Sequence, residues 1–407
     1  MEKTPCIWNV NVVDIAAGTI LPGRSVYLLG EKIDSIADAE PEPPEGAIDA
    51  TGSYLSPGLI DCHVHFFLDA GDSPRISYLE SDDETKLQWA KKNAKDAIEA
   101  GITTMRDCAA PAELMFDFQQ QVERSKIPGP HIVSCGHALM RPGGHCHFMG
   151  GEVGSVRDVR RLAEYQLKRG AGFVKLMASG GGLTPGTLPH EADLPLEQMQ
   201  EAKKVASEHD VQITAHCHAT ESIERAVEVE LDMIEHVNFV EPPGRYRFDE
   251  EIARRIRDRE IVVSPTVFSG LKTAQRFRET GESHNPGDVA AVERLEGRLT
   301  NTLQFHRLGM KIIAGTDCGA TNTPFNSLQD ELLTYLKAGL SNVQALRTAT
   351  CQSAEFMNLR EVGEVRENYR ADLILLGANP IEDLNALRRP AKVFKSGKVV
   401  HQAEAAV

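Results

Sequence analysis

Short apolar, β-branched runs alternate with amphipathic helical patterns along most of this 407-residue chain. One helix is predicted from Ser81 to Ala100, with Ser81 and Glu84 as its capping box, and a strand follows from Ile102. Candidate strands begin near Gly58, Ile102, His131, Gly172, Val211, Asp232, Ile261 and Lys311. Eight strands that alternate with helices indicate a parallel sheet, so we predict an α/β fold of the (β/α)8 TIM-barrel type. A doubly wound open sheet is the competing architecture.

The two ends of the chain carry a different pattern. Residues 1–56 and 361–407 contain short apolar runs, such as 25–29 and 373–376, that are separated by Gly and Pro turns. This pattern is typical of antiparallel strands. We therefore predict a small β-sandwich domain built from both termini, with the barrel occupying residues 57–360.

Charge and composition exclude several classes of protein. Lys and Arg total 44 against 59 Asp and Glu, which gives a net charge of −15 and no overall attraction for nucleic acid or an anionic membrane. No apolar run is long enough to predict a membrane span, and residues 1–6 lack the apolar core of a secretory signal. Eight cysteines without a CxxC pair are typical of reduced thiols, so a cytoplasmic location is expected.

Two histidines follow the first candidate barrel strand in a His-x-His pattern. His63 and His65 belong to the motif Asp61–His65, which comes directly after the apolar run 58–60. Alternate residues of a strand share a face, so both imidazoles point the same way and can bind one metal ion. A pair of buried, hydrogen-bonded histidines is the alternative interpretation.

Four more ligand-type residues lie at or near other strand ends. Lys175 lies in an apolar strand, where a lysine must form an ion pair, reach solvent, or lose its charge and become able to add carbon dioxide as a carbamate. His216, His236 and Asp317 each end a strand. All strands of a parallel barrel open onto one face at their carboxyl ends. We therefore expect one pocket to contain His63, His65, Lys175, His216, His236 and Asp317.

The cysteines next to these residues are predicted to face away from the pocket. Cys62, Cys217 and Cys318 each adjoin a proposed ligand along the chain. Neighbours on a strand point to opposite faces, so these thiols should pack towards the helices. Arg106 and Asp107, at the end of the second strand, are interpreted as a structural ion pair.

Eight motifs spread over nearly the whole chain resemble those of a known family. They are Ser56–His65, Gly101–Asp107, Gly143–His145, Val174–Gly181, Ala215–His216, Ile234–His236, Ala314–Asp317 and Arg370–Leu373. The chain resembles the amidohydrolase superfamily, and within it the imidazolonepropionase-like branch that includes metal-dependent dipeptidases acting on Xaa-Pro, Xaa-Arg and Xaa-Lys. The resemblance implies a metal-dependent hydrolase barrel with a β-sandwich from both termini, and a homo-oligomer.

The resemblance also implies a centre of two divalent metal ions. Histidines with carboxylate or carbamate oxygens suit zinc, which is the expected metal, and manganese, cobalt and iron are the alternatives. It assigns His63, His65 and Asp317 to one ion, His216 and His236 to a second, and a carboxylated Lys175 to the bridge between them. Two cations lower the pKa of a bridging water and polarise a carbonyl group. Asp317 then acts as general base towards that water and as general acid towards the leaving amine.

Candidate substrate contacts surround these positions. By resemblance, His145 lies in the pocket and polarises the scissile carbonyl; an ordinary loop histidine is the alternative. His218 stands where the resemblance leads us to expect a tyrosine, and it could donate a hydrogen bond to a substrate carboxylate. His147 is a further candidate from the same loop as His145. Arg141 and Arg245 could pair with a carboxylate, although solvated loop arginines are the alternative.

These observations predict a binuclear hydrolase that cleaves the amide or peptide bond of a dipeptide or an N-acyl amino acid. The alternatives are a mononuclear hydrolase of a cyclic amide, as in imidazolonepropionase, or a deaminase, lactonase or xenobiotic-amide hydrolase of the same superfamily. A scaffold protein without activity is a further alternative. Lys175 separates the first two, because a one-metal site has no use for a bridging carbamate. The expected partner is a small-molecule or dipeptide substrate, with neither nucleic acid nor membrane.

Overall fold

The computed structural model of the protein describes residues 6–281 and 288–403 and has an α/β architecture. The strands are β1 Cys6–Asp14, β2 Thr19–Leu29, β3 Lys32–Asp38, β4 Ile48–Asp49, β5 Tyr54–Pro57, β6 Leu59–Val64, β7 Ile102–Asp107, β8 His131–Ser134, β9 Phe173–Met177, β10 Gln212–Ala219, β11 Met233–Glu241, β12 Arg245–Tyr246, β13 Val262–Ser264, β14 Leu373–Leu376, β15 Lys392–Lys395 and β16 Lys398–Gln402. The helices are α1 Pro74–Glu80, α2 Asp83–Glu99, α3 Ala112–Glu123, α4 Val156–Arg169, α5 Leu196–Glu208, α6 Thr220–Glu228, α7 Glu250–Asp258, α8 Leu271–Thr280, α9 Asp288–Arg307, α10 Leu328–Lys337, α11 Asn342–Thr348 and α12 Cys351–Phe356.

Parallel pairing dominates the middle of the chain. Strands β6, β7 and β8 pair in parallel, as do β9, β10, β11 and β13. The segment 311–318 is not a regular strand, although a strand was predicted from Lys311. Three single parallel bridges connect these groups: Leu139 with Leu176, Val263 with Ile312, and Val64 with Cys318. The 311–318 segment therefore contacts β13 on one side and β6 on the other.

Strands from both ends of the chain form a separate sheet. Its order is β16-β15-β14-β5-β1-β2-β3, with β4 also paired to β1. Most pairs are antiparallel as predicted, but β5 and β4 run parallel to β1, which the sequence pattern did not indicate. Parallel pairing arises here because β2 and β3 form a hairpin excursion before the chain returns beside β1. Residues 1–5 and 404–407 of the predicted terminal domain lie outside the described residues.

Gly58 connects the terminal sheet to the first parallel strand. It lies between β5 and β6, and its amide donates to the Asp372 carbonyl (2.8 Å). A Cβ atom at this position would lie 2.2 Å from Thr103 Oγ1. Only glycine fits at position 58, because Thr103 of β7 lies so close to the chain there.

Helix caps fix where the helices begin. The helix predicted from Ser81 begins at Asp83, because Asp82 is the N-cap and its carboxylate accepts from the amide of Thr85. The predicted capping box of Ser81 and Glu84 is therefore wrong, because the N-cap lies one residue later than Ser81. Among the described residues, no helix combines the length and apolar character that a membrane crossing needs.

Candidate metal centre

A pocket of about 370 Å³ opens where the parallel strands end. One side is lined by residues from the end of β6 and the position just after it, from β10 and from the 311–318 segment. Those residues are His63, His65, His216, His218 and Asp317, and His145 joins them from the loop after β8. The carboxyl ends of parallel strands share one edge, so residues far apart in sequence meet here.

The first ligand cluster consists of His63, His65 and Asp317. His63 Nε2 and His65 Nε2 lie 3.3 Å apart. Asp317 Oδ1 lies 3.5 Å from His63 Nε2 and 3.2 Å from His65 Nε2. Asp317 is held by its amide, which donates to the His63 carbonyl (2.8 Å). Three donor atoms thus face one small volume, as a metal site requires.

The second ligand cluster contains three histidines. The ring centroids of His216 and His236 lie 4.6 Å apart, and those of His216 and His218 lie 4.3 Å apart. The His63 ring lies 5.1 Å from that of His236, so the two clusters adjoin. His218, predicted as a substrate contact, lies within this second group.

Burial disfavours the charged form of four of these imidazoles. Burial lowers the pKa of His63, His216, His218 and His236 well below the usual histidine value. A neutral imidazole has the lone pair that binds a metal ion, whereas an imidazolium does not.

Hydrogen bonds indicate which ring nitrogen of His236 is free to bind a metal ion. Its Nδ1 lies 2.6 Å from Thr266 Oγ1, and that hydroxyl donates to the Pro265 carbonyl (2.8 Å). While the hydroxyl proton is donated to the Pro265 carbonyl, His236 Nδ1–H is the donor in the first bond. The lone pair of His236 is therefore on Nε2, and Thr266 orients the ring.

The same reasoning applies to His65 and His216, whose partners are carbonyl oxygens. His65 Nδ1 lies 3.2 Å from the Ala109 carbonyl, which leaves the lone pair on Nε2. His216 Nε2 lies 3.3 Å from the Gly180 carbonyl, which leaves the lone pair on Nδ1. His218 differs, because the Asn238 amide donates to its Nδ1 (2.7 Å). His218 therefore presents an N–H donor at Nε2.

Lys175 lies in a buried cluster of charged groups beside both ligand sets. Its side chain is fully buried on β9, and its Nζ contacts the carboxylate of Glu235. Glu235 Oε2 also lies 3.7 Å from His63 Nδ1. Burial lowers the pKa of the Lys175 amine. Sequence reasoning did not assign Glu235 a role, although it directly precedes His236.

The predicted ion pair of Arg106 with Asp107 is wrong. Arg106 Nη1 lies 3.7 Å from Glu235 Oε1, and its guanidinium lies 3.5 Å from the centre of the Phe173 ring. Asp107 instead accepts from the Phe66 amide (2.8 Å), and burial raises its pKa to about 7. Adjacent residues of β7 point to opposite sides, so the two side chains separate.

His145 lies against the second ligand cluster. It is buried, its ring centroid lies 4.8 Å from that of His216, and burial lowers its pKa to about 4. A Cβ atom at Gly181 would lie 2.5 Å from His145 Nε2. The glycine-rich loop after β9 therefore leaves the space that the His145 ring occupies.

Three predicted substrate contacts do not line the pocket within the described residues. His147 Nδ1 lies 3.0 Å from the Gly144 carbonyl, and Arg141 Nε lies 3.0 Å from Asp193 Oδ1. Arg245 is exposed on β12. Strand alternation explains the last error, because Tyr246, the next residue, is the one that lines the pocket.

The three cysteines beside the ligands contact the surrounding structure. Cys62 Sγ lies 3.2 Å from Ser353 Oγ of α12, and Cys217 Sγ lies 3.7 Å from the Ser222 carbonyl of α6. Cys318 Sγ lies 3.0 Å from the Pro324 carbonyl. The contacts of Cys62 and Cys217 agree with the predicted orientation towards the helices, whereas Cys318 contacts the loop before α10. Cys108, which was not singled out, is the cysteine that lies near His63 and Glu235.

Comparison with known proteins identifies the class. The model of the Amidohydrolase family matches residues 54–400, so the chain belongs to the amidohydrolase family. This confirms the resemblance drawn from the sequence motifs. Membership of this family makes the chain a hydrolase.

Individual relatives are distant but cover nearly the whole chain. Ochratoxinase from Aspergillus niger is 24% identical over 441 residues, covering 96% of this chain and 87% of the relative. Imidazolonepropionase from Anaeromyxobacter sp. is 25% identical over 429 residues, covering 95% and 92%. A Xaa-Pro dipeptidase with methionine bound in its active site has a TM-score of 0.88 at 21% identity, covering 98% of this chain and 100% of that one. A prolidase complexed with N-methylphosphonate-L-proline has a TM-score of 0.86 at 25% identity, with the same coverage.

Proposed function

We propose that this protein is a binuclear, zinc-dependent hydrolase that cleaves the amide bond of a dipeptide or an N-acyl amino acid. One observation carries the proposal: two clusters of ligand-type side chains adjoin, and the buried Lys175 reaches the first of them through Glu235. The similarity to ochratoxinase and to prolidases supports amide hydrolysis. The domain scheme is part of the proposal, with a (β/α)8 barrel over 57–360 and a sandwich domain from 1–56 and 361–407.

The residues present fit a pair of metal ions. His63 Nε2, His65 Nε2 and an Asp317 oxygen would hold one ion, and His216 Nδ1 and His236 Nε2 would hold the other. A carboxylated Lys175 would supply oxygen donors to both. Without the added carboxyl group, Lys175 would place a positive charge beside ligands that would themselves bind metal cations. Its burial also disfavours that charge. Two divalent cations, when bound, lower the pKa of a water molecule and polarise a carbonyl group.

The side chains supply the remaining steps. Asp317 accepts a proton from the attacking water and passes it to the leaving amine, so that no charged amide nitrogen is expelled. Ser269 Oγ lies 3.3 Å from Asp317 Oδ2 and keeps this carboxylate oriented. His145 is neutral and donates a hydrogen bond to the substrate carbonyl oxygen as negative charge develops there.

A substrate panel tests the proposal. The protein is loaded with zinc in the presence of bicarbonate and incubated with dipeptides and N-acetyl amino acids, and release of free amino acid is measured. We expect turnover of at least one member of the panel, and none with Asp317→Asn under the same conditions. Turnover that persists unchanged in Asp317→Asn, or a panel with no substrate at all, contradicts the proposal.

Thr266→Val is predicted to weaken metal binding at the second cluster. The change removes the hydroxyl that accepts from His236 Nδ1, and loss of such a partner costs about 10- to 100-fold in metal affinity. Competition against a chromogenic chelator measures the effect. Thr266→Ser keeps the hydroxyl and should bind metal like the native protein. Equal affinity in the valine variant would show that Thr266 does not orient His236.

A further inference from the structure

The wall formed by α9 and β12 brings positive charge to the pocket. Arg294 and Arg298 lie one helical turn apart on α9, and both line the pocket with Tyr246 of β12. Sequence reasoning missed all three, because an arginine pair at this spacing usually belongs to a solvated helix face.

Close packing builds this wall. Gly297 lies on α9 between the two arginines in sequence, and a Cβ atom there would lie 2.3 Å from Tyr246 Cδ1. Tyr246 is therefore seated directly on the helix, at a position where any larger residue would push it away. The packing fixes β12 against α9 beside the pocket.

Backbone carbonyl oxygens hold Arg298 in place. It is buried, with 8% of its surface exposed. Its Nη1 donates to the carbonyls of Thr266 (3.1 Å) and Ser269 (2.7 Å), whereas its buried Nε has no hydrogen-bond partner. Among the side chains that the structure describes, no carboxylate forms an ion pair with it. A buried guanidinium is costly to leave unpaired, so an anionic group from a ligand would complete the site.

We infer that Arg298, with Arg294 beside it, binds the free carboxylate of the substrate. The inference rests on the proposed function and narrows the class of substrates. The amino acid released by hydrolysis must carry a free carboxylate, and a neutral amide of the same shape is a poor substrate. Arg298 takes the role that the sequence suggested for Arg141 and Arg245, which lie outside the pocket lining. His218, suggested for the same role, lines the pocket as Arg298 does.

Two matched substrates test this inference with the zinc-loaded, full-length protein. N-acetyl-L-methionine and N-acetyl-L-methioninamide differ only in the terminal group, and acetate release is measured for both. We expect kcat/KM for the acid to exceed that for the amide by about 10- to 100-fold, which is the range for a charge-assisted hydrogen bond. Equal values would overturn carboxylate recognition while leaving the hydrolase intact.

Binding separates this inference from the proposed function. If neither compound is hydrolysed, calorimetric titration of both into the zinc-loaded protein still compares acid with amide. Tighter binding of the acid supports the carboxylate site even though the proposed activity has failed. Equal binding, or no binding of either compound, overturns it.

Substitution of the arginines assigns the effect to this wall. Arg298→Ala should reduce the acid-to-amide ratio about tenfold or more, mainly through KM for the acid. A merely structural role through Thr266 and Ser269 would lower activity on both substrates equally and leave the ratio unchanged.

Arg294→Met, at a half-buried position, gives a second test if Arg298→Ala does not fold. Arg278→Ala, on an exposed residue paired with Glu296 of α9, is the control that should keep the native ratio. An unchanged ratio in every folded variant of Arg294 and Arg298 contradicts the assignment.

Discussion

Asp317→Asn is expected to lower kcat by about 10³-fold or more while the protein remains folded. The carboxylate of Asp317 lies within 3.5 Å of both histidines of the first cluster, and the proposed function gives it both a metal-binding role and the proton transfer. Asparagine has nearly the same shape, but it cannot accept the proton of the attacking water. The measurement is kcat on the best substrate of the panel, with metal content determined on the same sample.

A matched carboxylate elsewhere controls for general effects of the change. Asp330 lies on α10, where it pairs with Arg388, and Asp330→Asn should retain native kcat. If Asp317→Asn keeps more than about a tenth of native kcat with its metal bound, Asp317 is not the proton carrier.

Lys175→Ala is expected to lose one metal equivalent and to lower kcat/KM by about 10³-fold or more. The change removes the proposed bridge, and it leaves the Glu235 carboxylate buried without its lysine contact. Metal per chain and activity are measured together after reconstitution with zinc and bicarbonate. Lys203→Ala removes a lysine that pairs with Asp232 outside the pocket, and it should retain both metals.

Isotope labelling tests the carbamate itself. Native protein reconstituted with ¹³C-bicarbonate should show a protein-bound carbamate signal in the ¹³C NMR spectrum, and Lys175→Ala should lack it. Two metal equivalents and native activity in Lys175→Ala would exclude the bridging role.

Strand periodicity made the centre predictable to a large extent. His63 and His65 share a face because the strand repeat is two residues, and the carboxyl ends of parallel strands meet at one edge. Those two rules are local, so they apply before any tertiary contact is known. They suffice to predict that His63 and Asp317 lie close together, although the two residues are far apart in the sequence.

Partners set by tertiary packing could not be predicted in this way. Arg106 pairs with Glu235 rather than with its neighbour Asp107, and the contact depends on which strands adjoin in space. Arg298 reaches the pocket because Gly297 lets Tyr246 pack on α9, and no spacing rule encodes that contact. The 311–318 segment has an apolar pattern typical of a strand, but it makes only isolated bridges to its neighbours.

Elemental analysis of metal per chain tests the central claim most directly. The protein is purified without chelators, reconstituted with zinc and bicarbonate, and freed of loosely bound metal by gel filtration. The two ligand clusters and Lys175 predict two equivalents of zinc per chain. A stable content of one equivalent, with full activity, would contradict the binuclear centre and favour a mononuclear hydrolase.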